Sequence, residues 1–166
     1  MFIRGAVKID EAAAGPPFSA IMTLTPPLPS FRLDGKTALV TGAGRGIGAA
    51  AAAVFAQAGA SVSLCARTAG EVEAVARDIR DAGFKADAFT LDVTDTSAVG
   101  REIAARGPFD ILLNNAGANR IRAITEVTEE DYDAVLDLNL KAALFVAQAV
   151  AKGLLVLVAG DRFLAF

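Results

Sequence analysis

The densest chemistry in the chain lies in eight residues, Thr41-Gly42-Ala43-Gly44-Arg45-Gly46-Ile47-Gly48, set between a short apolar run and an alanine-rich segment. Glycines at a strand-to-helix turn allow a tight reversal and a close approach of backbone to a pyrophosphate. The helix that follows offers free N–H groups and the positive end of its dipole. No Lys-Ser/Thr pair follows these glycines, so the loop is not a P-loop. Ile47 stands where G-x-G-x-x-G needs its third glycine. The spacing that fits is G-x-x-x-G-x-G, through Gly42, Gly46 and Gly48.

Further polar residues close apolar runs. Asp92, in Leu91-Asp92-Val93, ends an apolar strand, where its carboxylate either accepts from an adenine amino group or caps the next turn. Asn114-Asn115-Ala116-Gly117 follows Ile111-Leu112-Leu113. That is the carboxyl end of a buried strand, where open α/β sheets bind ligands. Asn139 shares a helical face with Tyr132, Val135, Ala142 and Val146, and an amide on such a face needs partners. Arg120 and Arg122 lie just past Gly117 and are candidates either for an anionic substrate or for plain surface.

Composition removes much other chemistry. There is no histidine, which excludes His-ligated metals, Ser-His-Asp triads and Cys-His dyads. The single cysteine, Cys65, excludes an internal disulfide framework and reads as a small core residue in a reducing compartment. Sixteen basic and 19 acidic residues give a net charge of −3, with the basic ones scattered. No footprint for nucleic acid or an anionic membrane results. No uninterrupted apolar stretch reaches the roughly 18 residues of a membrane span, and charges at Arg4, Lys8, Asp10 and Glu11 argue against a signal peptide. A cytoplasmic protein is expected.

The elements that must position these residues alternate strand and helix from residue 31. Strands are expected over 37–40, 61–66, 84–91 and 109–113, and helices over 47–58, 69–81 and 97–105. Thr128-Glu129-Glu130-Asp131 reads as a capping box opening a long helix to about 152. Such βα units imply a parallel sheet covered on both faces. Residues 1–30 carry five of the six prolines and read as a flexible arm, with Met22 a candidate start. Residues 31–166 then form one domain with an atypical tail from 153, in which Gly153 stops the helix and 154–158 adds a fifth strand.

On these motifs the chain resembles the short-chain dehydrogenase/reductase family, over about 31–152. Residues 41–48 look like its cofactor loop, Leu91-Asp92-Val93 like its adenine-pocket motif, Asn114 to Gly117 like its N-N-A-G signature, and Asn139 like its catalytic asparagine. The branch is that of ketoacyl-carrier-protein reductases and sugar-acid dehydrogenases. The resemblance implies a Rossmann-like doubly wound parallel sheet, incomplete at the C-terminal side. It also implies hydride transfer between nicotinamide and the carbonyl or alcohol carbon of a small molecule, with self-association through long helices. Thr41, Gly42, Gly44, Arg45, Gly46, Ile47, Gly48, Arg67, Asp92, Val93, Asn114, Asn115, Ala116 and Gly117 are the expected cofactor residues, and no metal is expected.

Cofactor choice follows from charge. No acid occurs between Gly48 and Glu71, where an NAD-preferring site places one on the ribose. Arg67 ends the second strand instead and, with Arg45, suits a 2′-phosphate. NADP(H) is therefore expected over NAD(H). The family's serine and Tyr-x-x-x-Lys pair, however, have no counterpart. The only tyrosine, Tyr132, precedes Asn139 and has Leu136 four residues on, and the last serine is Ser97. The expectation is a cofactor-binding half with doubtful turnover, as a frameshift near codon 153 would produce. The alternative is a noncatalytic nucleotide-binding or interaction module, or an inactive fragment.

Overall fold

The computed structural model describes residues 31–161, with side chains described to 155. The proline-bearing arm expected over 1–30 and the last five residues lie outside the described residues. Four strands form one parallel sheet: β1 (Thr37–Thr41), β2 (Ser61–Ala66), β3 (Ala86–Thr90) and β4 (Ile111–Leu113), in spatial order β3-β2-β1-β4. The chain leaves β1 towards β2 on one side, while β4 returns to the other. Ligands of open α/β sheets bind at the carboxyl ends of strands flanking such a switch.

Strand alternation sends neighbouring side chains to opposite faces. Ala38 and Val40 of β1, with Val62 and Leu64 of β2, meet Ala52 and Ala56 of α1 (Gly46–Gln57) and Val72, Ala76 and Ile79 of α2 (Ala69–Asp81). Leu39 and Cys65 face the other way, onto Val99 and Ile103 of α3 (Thr96–Arg106). Helices on both faces of a parallel sheet make this the Rossmann-like doubly wound architecture expected from the βα alternation. Alanines along α1 let its backbone lie close to the sheet.

The expected long helix differs from the observed one. It is α4 (Glu129–Leu136), a π-helical segment over Asp137–Ala142, and α5 (Ala143–Asp161). Its start is as read. Thr128 accepts from the Asp131 N–H at 3.1 Å, and the Asp131 carboxylate reaches back to the Thr128 N–H at 3.4 Å. Its end is not. Residues 154–158 are helical, so neither the stop at Gly153 nor a fifth strand there forms. Val146, Val150 and Leu154 recur every fourth residue, and all three pack on the second core. That continuous stripe outweighs the roughly 1 kcal/mol cost of a helical glycine.

The helix Glu129–Leu155 is long and apolar enough to cross a membrane, an 18-residue window of it having a mean hydropathy of 1.5. Its Ala142, Val146 and Val150 side chains are buried within this fold.

Candidate functional site

At the carboxyl ends of the strands lies a cleft of about 440 Å³. Gly42, Gly44, Arg45 and Ile47 line one side; Ala66, Arg67, Thr68 and Glu71 continue it past β2. Leu91 and Val93 follow from the end of β3, and Asn115, Ala116, Gly117 and Leu138 close the remaining side.

The helix starts differ in how they are capped. α3 is capped by the Asp95 carboxylate, which accepts from the Ala98 N–H at 2.9 Å, and α4 by Thr128. The N-caps of α1 and α2, Arg45 and Thr68, make no such side-chain bond. Both of those uncapped starts open on the cleft. The first turn of α1 holds no acidic residue either, so its N–H groups and dipole present positive potential there.

The glycines are explained by close approach. Gly42 has a φ of +65°, and a Cβ on it would lie 2.8 Å from the Ala116 Cα. A Cβ on Gly48 would lie 2.5 Å from both the Asn115 Nδ2 and the Gly42 carbonyl oxygen. A Cβ on Gly117 would lie 2.7 Å from the Asn139 Oδ1. At these three positions no Cβ fits: Gly42 lies against the Ala116 backbone, Gly48 against the Gly42 carbonyl and the Asn115 amide, and Gly117 against the Asn139 amide.

Polar side chains tie those loops together. Thr41 is fully buried; its hydroxyl oxygen accepts from the Asn115 and Ala116 N–H groups, each at 3.0 Å. The Asn115 amide donates to the Thr41 and Gly42 carbonyls at 3.1 and 3.2 Å. Asn114 donates to the Ala143 carbonyl at 2.7 Å, and Asn139 brackets Ala118, accepting from its N–H at 3.0 Å and donating to its carbonyl at 2.7 Å. The π-helical segment carrying Asn139 is thereby stitched to the turn after β4. π-bulges concentrate at functional sites, and nothing in the helical periodicity of 128–152 signals one. The face read as shared with Tyr132 is not a buried one at that end, since Tyr132 is 60% exposed.

Asp92 takes the turn-capping option. Its carboxylate accepts from the Thr94 N–H at 3.0 Å and hydroxyl at 2.8 Å, which hold its pKa below the usual carboxylate range. Its neighbours Leu91 and Val93, rather than its side chain, line the cleft. Cys65 is fully buried, and burial pushes its thiol up to about 12, so it is inert packing rather than a nucleophile. Glu71, Thr68 and Leu138 are cleft residues that sequence reading left out. Glu71 is the first acid after Gly48, a signal noted only for where it is not.

Arg120 and Arg122 do not await an anion. Both close on Asp131, at 3.0 and 2.6 Å. Asp131 is buried, and it also accepts from the Thr128 hydroxyl at 3.0 Å. The Arg120 hydrogen bond, with Thr128 and Arg122, holds its carboxyl at about 2. A carboxylate depressed from its usual value near 3.9 contributes stability above that value and loses it as pH falls towards 2. Asp131→Asn is therefore expected to be less stable at pH 6, with the gap to the wild type narrowing between about pH 4 and pH 2. Urea midpoints across that range check it; a constant gap would contradict the assignment.

The sequence profile of the short chain dehydrogenase family matches residues 36–161. Gluconate 5-dehydrogenase of Gluconobacter oxydans is 42% identical over 126 residues, spanning 74% of this chain and 49% of that protein. Sorbitol dehydrogenase of Cereibacter sphaeroides is 41% identical over 136 residues, spanning 80% and 51%. Among solved structures, a gluconate 5-dehydrogenase from Burkholderia cenocepacia in complex with NADP and tartrate superposes with a TM-score of 0.71 at 40% identity. It matches 76% of this chain and 51% of its own. The chain spans about half the length of the curated relatives it matches.

Proposed function

We propose, for a chain that belongs to the short-chain dehydrogenase family, that the cleft binds a nicotinamide dinucleotide and prefers NADP(H) to NAD(H). The observation that carries this reading is a single cleft onto which two uncapped helix starts open, each with an arginine beside it. Gly42, Gly44, Gly46 and Gly48, with Ile47, shape the loop that holds the pyrophosphate on the N–H groups of α1. Arg45 and Arg67 take the 2′-phosphate in bidentate contacts. Leu91 and Val93 wall the adenine, with Asp92 at its edge. Asn114, Asn115, Ala116 and Gly117 form the opposite wall, braced from beneath by Thr41.

Bound there, the nicotinamide supplies hydride exchange with a carbonyl or alcohol carbon of a small molecule. Asn139 positions the Gly117–Ala118 backbone that borders this end. The 166 residues contain no Tyr-x-x-x-Lys, and Tyr132 stands exposed at the first turn of α4. These residues by themselves therefore bind cofactor with little turnover. The same reading makes the chain a soluble cytoplasmic protein that self-associates through Leu140, Leu144 and Leu155, all exposed on its long helix.

The test is calorimetric titration of the 166-residue chain with NADP+ and NAD+. NADP+ is expected to bind at least about tenfold more tightly, a difference of about 1.4 kcal/mol. Equal affinities would remove the preference, and binding of neither would remove the site. Steady NADPH-dependent reduction of a carbonyl compound would overturn the low turnover.

A further inference from the structure

Glu71 is the one acidic side chain among the residues lining the cleft. It sits in the first turn of α2 and reaches across to the glycine loop. A Cβ on Gly44 would lie 3.1 Å from the Glu71 Cβ and 3.2 Å from its Oε2, so the carboxylate rests against the backbone just before Arg45. Among the described residues, Glu71, Arg45 and Arg67 form no ion pairs with one another. Arg67 feels the Asp92 carboxylate instead. The cleft thus sets one unpaired carboxylate beside two arginines, at the end where a 2′-phosphate would be held.

We infer that Glu71 is a specificity-determining residue that tempers the preference for a 2′-phosphorylated dinucleotide. The inference rests on the reading of the cleft as a dinucleotide site. A ribose 2′-phosphate carries close to two negative charges at neutral pH. Brought within a Debye length of Glu71, about 8 Å at physiological ionic strength, it is repelled while the arginines attract it. A free 2′-hydroxyl meets no such penalty and can donate to the carboxylate. An acid near the ribose is the device by which NAD sites select their cofactor; here it comes from the helix after β2 rather than from the strand tip. Arginines and acid oppose one another, so the chain accepts both cofactors with NADP(H) ahead.

The experiment measures dissociation constants of NADP+ and NAD+ for the 166-residue wild type, Glu71→Gln and Glu71→Ala. Both variants are expected to bind NADP+ about fivefold more tightly and NAD+ no better, and the gain should shrink as salt is raised to 0.5 M. Glu71→Gln keeps the side chain's bulk. A gain in Glu71→Ala alone would therefore mark a steric role and overturn the inference, as would an unchanged NADP+ to NAD+ ratio in both. If the wild type binds neither dinucleotide, the reading of the cleft fails and this inference falls with it. If the wild type binds both and the ratio does not move, only the inference falls.

Discussion

Gly48→Ala is expected to destabilise the protein by about 3 kcal/mol, against the roughly 1 to 2 kcal/mol of an ordinary left-handed glycine substitution. The added methyl would sit 2.5 Å from the Asn115 Nδ2 and 2.5 Å from the Gly42 carbonyl oxygen. Neither is the tip of a free side chain. The Asn115 amide donates to both the Thr41 and the Gly42 carbonyl, and its own N–H is bound to Thr41. To admit the methyl, α1 must move off the Gly42 carbonyl, and Asn115 must shift with its two hydrogen bonds, worth about 1 kcal/mol each. For a chain of this size the loss corresponds to roughly 10 °C in Tm. Gly46→Ala is the control: its φ is +60°, yet a Cβ there meets nothing within 4 Å. Urea unfolding of both variants separates crowding from backbone strain. Binding of NADP+ should weaken more than tenfold in Gly48→Ala, because the N–H groups of α1 shift with the helix. Equal losses of stability in the two variants would show that the contact between the loops does not hold α1 in place.

Much of this geometry is legible in the sequence for a simple reason. Apolar strands such as Thr37–Thr41 and Ser61–Ala66 end in glycine or polar clusters, and those clusters punctuate a βα repeat whose topology has few solutions. The fold and the cleft follow from local signals repeated in order. What escapes are contacts between distant turns. Asn114 and Asn115 stand out in sequence as cofactor residues and Asn139 as a catalytic one; the structure adds that each side chain bonds backbone, at Ala143, the Thr41–Gly42 loop and Ala118. Arg120 and Arg122 are absorbed by Asp131, eleven and nine residues on, a pairing no spacing rule announces. The helix runs through Gly153, although a glycine there reads as a stop. The packing of Leu154 on the core behind Val150 decides otherwise, and that core is assembled from β1, β2 and α3.

Arg45 and Arg67 carry the largest expected effect on ligand choice. They reach the same end of the cleft from different elements. Arg45 has extended backbone, with φ −167° and ψ 174°, as N-cap of α1, and Arg67 directly follows the last residue of β2. Each side chain is exposed and makes no ion pair among the described residues, so neither must break a partnership to receive an anion. A hydrogen bond to a charged group contributes about 1.5 to 3 kcal/mol. Removing either arginine should therefore weaken NADP+ by about tenfold or more. The double variant Arg45→Ala/Arg67→Ala should weaken it by at least about a hundredfold, while NAD+ changes by no more than about twofold. The prediction has an internal check in salt. The wild-type advantage for NADP+ should fall as ionic strength rises, since exposed charges are screened, whereas in the double variant, where Glu71 alone faces the phosphate, NADP+ binding relative to NAD+ should no longer fall. If NADP+ and NAD+ weaken in parallel, the arginines act on the pyrophosphate or on the fold. The discrimination would then have to come from the uncapped start of α2, where Thr68 lines the cleft.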